Sequence, residues 1–141
     1  MTAEQKGLRF AAGVTCLTGL ALALSAWPPL AAPLRLLADL LIWPLDSAQT
    51  LAAAETRLML AISGGVLAGW GAMIWQLAGS PFARSPAEVR RVILISVLTW
   101  FVIDSAASVL AGATLNVAAN LVFLALFLVP MRLARRTAAM P

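Results

Sequence analysis

Residues 92–131 read VILISVLTWFVIDSAASVLAGATLNVAANLVFLALFLVPM, 40 residues with a single charge, Asp104. As one helix this stretch would extend ~60 Å at about 1.5 Å per residue, roughly twice the hydrocarbon thickness of a bilayer. It has to fold back on itself. The weakest helical point is Ala111-Gly112-Ala113-Thr114. The sequence therefore predicts one span over 92–110, a reversal at Gly112 and another span over 115–130. A turn this short makes the two spans antiparallel neighbours.

Upstream of that stretch, Ser85, Pro86 and Glu88 carry the signature of a helix start: a cap residue, proline at the first helical position, and the acidic member of a capping box. Asp46-Ser47-Ala48-Gln49 offers a second such start, and the helical pattern then runs to Gly79. Only 58–78 is free of charge, which places that part in hydrocarbon and Glu55 and Arg57 in the outer interface. The first apolar run, 8–27, carries only Arg9 at its start and ends at Trp27-Pro28-Pro29, where proline stops a helix and tryptophan suits an interface. A secretory signal is the competing reading, from basic Lys6 and Arg9 and the small residues Ser25 and Ala26. Its apolar core is usually about 7–15 residues, shorter than this run.

Between the first two spans, 33–45 is too short to cross a bilayer. Pro33 in the first turn, Arg35 and Asp39 four apart on one side, and Trp43 near the end predict a helix lying along the membrane surface. A hydrophobic loop is the alternative. The expected fold is thus an all-α integral membrane protein: a four-transmembrane-helix bundle with a short interfacial helix between spans 1 and 2, one domain over 1–141. Composition agrees, since 62% apolar and 11% charged residues leave too little polar surface to cover a soluble globule.

The basic residues orient the bundle. Lys6, Arg9, Arg84, Arg90, Arg91, Arg132, Arg135 and Arg136 fall on one side of a four-span arrangement and only Arg35 and Arg57 on the other. By the positive-inside rule both termini are cytoplasmic. Three spans would separate the C-terminal arginines from Arg90 and Arg91, so charge supports the reversal at Gly112 independently of length.

Several function classes lose their chemistry here. The ten Lys and Arg are dispersed at span ends rather than gathered into a patch with aromatics, so no nucleic-acid partner is expected. Histidine is absent and Cys16 is the only cysteine, which removes intrachain disulfides and leaves no plausible metal or cluster ligand set. No metal or other cofactor is expected. Ser63, Ser105 and Ser108 have no histidine to activate them, and no carboxylate pair or glycine-rich phosphate loop forms a motif. Enzymatic activity is unsupported.

Asp104 is the foremost candidate. An ionisable group inside a span costs several kcal/mol unless it is paired, hydrated or neutral. It lies two turns below the Gly112 bend, in the outer half of the span, and Arg57, or a cluster with Glu55, enters from that same side as its expected partner. Asp104, Ser108, Gly112, Asn116 and Asn120 recur every fourth residue, with Ser105 beside them. Divided between two helices that meet at the turn, they are expected to converge, either as packing contacts or as a small polar pocket open outward. Gly64, Gly65, Gly69 and Gly71 follow on the second span, and Gly65 and Gly69 form Gly-x-x-x-Gly, which permits close helix contact within the bundle or between copies.

The assembled string, from Trp43-Pro44-Leu45-Asp46 through Glu55-Thr56-Arg57 and 64–71 to Trp100-Phe101, Asp104-Ser105, Ser108, Gly112, Asn116 and Asn120, resembles a group of small bacterial four-span membrane proteins of unknown function. Some members of that group carry an excinuclease label, which does not fit a chain lacking nucleotide-binding motifs. The resemblance implies the fold and a bacterial inner membrane, and no activity. Three functions are open: a non-enzymatic accessory or self-associating bundle, a binder or carrier of a small or lipid-like ligand near Asp104, and a membrane-embedded enzyme acting on lipid. The expected partners are the lipid bilayer and further copies of the chain or a larger membrane complex.

Overall fold

The computed structural model describes residues 1–138, with the backbone alone for 134–138. Arg135 and Arg136, counted above among the basic residues, lie outside the described side chains. Six α-helices follow one another, with no strand among the described residues: α1 (Ala3–Ser25), α2 (Ala32–Leu41), α3 (Ala54–Leu77), α4 (Ser80–Arg84), α5 (Pro86–Leu110) and α6 (Leu115–Ala138). Among the described residues, four helical segments are long and apolar enough to cross a membrane: Ala3–Ser25, Ala54–Arg84, Pro86–Leu110 and Leu115–Leu133. The chain is a multi-pass helical bundle.

The reversal lies where the length argument places it. At the end of α5, Gly112 has φ +80°, a left-handed conformation that glycine adopts without a Cβ penalty. The Gly112 amide donates to the Val109 carbonyl (3.1 Å) and the Ala113 amide to the Ser108 carbonyl (2.9 Å). These are the two bonds of a Schellman cap, and they satisfy carbonyls that the helix end would otherwise orphan.

Other boundaries shift for local reasons. α1 starts at Ala3 rather than near 8, because Thr2 and Gln5 close a reciprocal capping box: the Gln5 amide donates to Thr2 Oγ1 (3.2 Å), and the Thr2 amide to Gln5 Oε1 (2.8 Å). α5 starts at Pro86 as expected, but the Ser85–Glu88 box does not form. The Ser85 amide is already bonded to the Pro81 carbonyl at the end of α4, leaving Glu88 no donor to accept from. The predicted start at Asp46 is also corrected. Asp46 Oδ1 accepts from the Ala48 amide in a local turn, Ser47 (φ 61°) and Leu51 (φ 53°) are left-handed, and Ala53 (ψ 140°) is extended, so the helix begins only at Ala54.

α1 packs along α3 on one side and α6 on the other, and α6 packs along α5. Trp70 closes the ring between α3 and α5, donating from Nε1 to Ser96 Oγ (3.0 Å) and stacking obliquely near Trp100, with ring centroids 6.0 Å apart. The hydrophobic core lies at the end of the bundle that holds the chain's start. It joins Leu8, Ala11 and Ala12 of α1, Ile74 of α3, Phe82 of α4, Val89, Ile93 and Val97 of α5, and Leu124 and Phe127 of α6. The opposite end is held differently, by two helix pairs with their own fastenings. α1 and α3 approach until backbones touch: a Cβ on Gly64 would lie 2.4 Å from the Ala23 nitrogen, and one on Gly19 would lie 2.6 Å from the Gly64 oxygen. α5 and α6 are joined there by polar side chains.

Candidate functional site

The polar recurrence that the sequence divides between two helices does converge. Asp104, Ser105 and Ser108 stand on the last two turns of α5, and Asn116 and Asn120 on the first two of α6, facing each other across the Gly112 turn. Asn120 Nδ2 donates to Asp104 Oδ2 (2.5 Å) and to Ser105 Oγ (3.1 Å). Asn116 Nδ2 donates to the same Oδ2 (3.1 Å) and to Ser108 Oγ (2.8 Å). Asn120 and Ser108 are buried, while Asp104, Ser105 and Asn116 are half-buried. The tight reversal brings positions 12 and 16 residues apart within hydrogen-bonding distance, and one carboxylate oxygen gathers both amides.

Chemically, the cluster sets a carboxyl acceptor against neutral amide donors. Hydrogen bonds to charged groups are stronger than those between neutral ones, and in apolar surroundings they lower the cost of holding a carboxylate. The site joins two helices at the bend that most needs fixing. It holds no nucleophile paired with a base, and among the described residues no group of three or more His, Cys, Asp or Glu gathers to hold a metal.

The expected partner of Asp104 is not there. Arg57 is half-buried in the first turn of α3 and Glu55 is exposed beside it, and neither forms an ion pair with any described residue. The physical reason is the order of the helices: α5 packs along α6, and its meeting with α3 runs through Trp70, far from the turn at Gly112. The amides of Asn116 and Asn120 occupy the position assigned to Arg57.

The glycines divide in an unexpected way. Gly65 and Gly69 make no contact within the bundle, since a Cβ on either would meet nothing within 4 Å. The close helix contact instead uses Gly19, Gly64 and Gly71, reinforced by Cys16 Sγ, which donates to the Ala68 carbonyl at 3.1 Å. Of the two tryptophans on α3, Trp70 lies among Trp100 and Phe127, whereas Trp75 is 46% exposed and lies under the Arg9 guanidinium, 5.3 Å from the ring centroid.

Three polar contacts have no signal in the sequence. Glu4, buried in the first turn of α1, receives Arg90 of α5 through two bonds, Arg90 Nε to Oε1 (2.6 Å) and a second guanidinium nitrogen to Oε2. Beside it, Gln5 Nε2 donates to the Ala78 (3.2 Å) and Gly79 (3.1 Å) carbonyls, capping the end of α3. At the opposite end, Asp39 is buried and does not pair with Arg35 across the face of α2. Its Oδ2 accepts from the Ser47 amide (3.0 Å) and draws the 42–53 segment back onto the helix. Helical spacing signals contacts at i and i+4. It gives no signal for partners 86 residues apart, or for a side chain that bonds the backbone of a following loop.

Compared with known protein families, curated proteins and solved structures, this chain matches none.

Proposed function

We propose that the chain is a non-enzymatic component of a bacterial inner membrane, with cytoplasmic termini and α2 lying in the outer interface, and that it acts by helix association with further copies of itself. The observation that carries this reading is the division of the glycines. Gly19, Gly64 and Gly71 serve the contact between α1 and α3, while Gly65 and Gly69 leave a flush strip on the outward side of α3. In lipid, apolar side chains gain little by meeting one another. Association there relies on close backbone approach and van der Waals packing, which small residues permit. Eight of the ten basic residues on one side support the orientation.

The Asp104 cluster belongs to the same reading as an anchor of the α5–α6 reversal. The amide donors that a ligand would need are turned onto Asp104 and the two serines. One feature favours a ligand there: Asp104 is half-buried and both amides bond its Oδ2, leaving Oδ1 to meet a donor from outside.

Self-association is tested by single-molecule photobleaching of labelled protein in liposomes over a range of protein-to-lipid ratios. The expected result is a density-dependent dimer that Gly65→Leu/Gly69→Leu abolishes while the helical content stays unchanged. Monomers at every density would contradict the reading.

A further inference from the structure

We infer that the groove between the start of α5 and the end of α6 is a binding site for an anionic glycerophospholipid of the adjoining leaflet. The groove holds about 540 Å³. Arg90, Arg91 and Arg132 stand at its mouth, and Leu94, Leu98 and Leu128 line the part that runs into the span. The three arginines are not equivalent. Arg90 is engaged by Glu4, whereas Arg91 and Arg132 form no ion pair with any described residue. The other acidic group nearby, Glu88, is three residues before Arg91 in the first turn of α5 and forms no ion pair with it. Two guanidiniums without an ion-pair partner among the described residues therefore share one groove mouth.

The ligand's chemistry follows from what those walls recognise. Guanidinium binds phosphate through paired N–H donors, which selects an anionic headgroup. Leu94 and Leu98 lie one and two turns deeper than Arg91 on α5, so the groove descends ~10 Å into the apolar part of the span. A free phosphate has nothing to place there, and a nucleic acid would find no stacking aromatic in the lining. An acyl chain fits it. A zwitterionic lipid brings an ammonium group to a mouth already doubly positive, so the site discriminates by headgroup charge. Basic pockets between membrane helices have this character generally. Here two arginines from different helices converge on a single apolar groove.

The test is native mass spectrometry of the full chain, released from neutral detergent with equimolar dioleoyl-phosphatidylglycerol and dioleoyl-phosphatidylcholine. Retention of the glycerol lipid is expected to exceed that of the choline lipid at least tenfold. Arg91→Gln/Arg132→Gln is expected to remove that preference, while Arg35→Gln, at the opposite end of the bundle, keeps it. Leu98→Trp, which fills the groove without changing charge, is expected to lower retention several-fold, and it keeps the test decisive if the double arginine variant does not fold. Equal retention of the two lipids, unchanged preference in a folded Arg91→Gln/Arg132→Gln variant, or full retention by Leu98→Trp would overturn the inference. So would displacement of the lipid by equimolar inorganic phosphate, which would assign the site to a free anion.

Discussion

Glu4 and Arg90, 86 residues apart, form a two-bond ion pair that ties the first turn of α1 to the first turns of α5. The glutamate is almost fully buried, and the Arg90 guanidinium also lies over the Phe82 ring, 5.4 Å from its centroid. Removing Arg90 alone leaves a buried carboxylate without compensation, which typically costs about 3–5 kcal/mol. Arg90→Gln is therefore expected to be much less stable than Glu4→Gln/Arg90→Gln in reversible unfolding from mixed micelles. Equal losses in the single and double variants would show that the pair contributes nothing.

The Asp104 cluster yields a sharper comparison. Asp104→Leu deprives the Asn116 and Asn120 amides of their shared acceptor, and Asn120 is buried, so a loss of about 1–3 kcal/mol is expected. Arg57→Gln, at a residue that forms no ion pair with any described residue, is expected to stay within about 0.5 kcal/mol. Combined, the two changes should add to within about 0.5 kcal/mol. A coupling energy well above that would restore the contact between Arg57 and Asp104 that the structure does not contain.

Neighbouring glycines on α3 should behave in opposite ways. A Cβ at Gly64 would lie 2.5 Å from the Gly19 oxygen, in backbone that cannot yield without parting α1 from α3. Gly64→Ala is expected to lower the melting temperature by several degrees, while Gly65→Ala, which meets nothing within 4 Å, leaves it unchanged or raises it. Equal sensitivity at the two positions would mean that the α1–α3 contact is not the one described.

The turn can be tested by one atom. At φ +80° an alanine in place of Gly112 carries a left-handed penalty of about 1–2 kcal/mol. Asparagine tolerates that conformation better. The expected order of stability is Gly112, then Gly112→Asn, then Gly112→Ala, measured by the same unfolding assay. Indifference to all three residues would remove the left-handed cap.

What the sequence revealed followed from length and periodicity. Forty nearly uncharged residues forced the reversal, and fourfold spacing marked the side chains that meet across it, from Asp104 to Asn120. What escaped depended on which helices become neighbours. Arg57 stood at the right depth for Asp104, yet α5 lies along α6 and the nearer asparagines take the carboxylate. Gly65 and Gly69 had the recognised spacing, but Gly64 and Gly71, one or two positions away, are the ones turned towards α1. Spacing names a helical face without naming what it faces. The start at Asp46 failed for another reason: Asp39, seven residues earlier, holds the Ser47 amide and competes with the helix for the same backbone.

The central claim is that the chain crosses the membrane four times, turning at Gly112, with both termini on the cytoplasmic side. An alkaline phosphatase reporter, active only outside the cytoplasm, tests it when fused after Pro141 and, in a second fusion, after Thr114 in the turn. The account predicts an inactive fusion after Pro141 and an active one after Thr114. Activity after Pro141 would contradict it, because the number of crossings would then be odd or the orientation reversed.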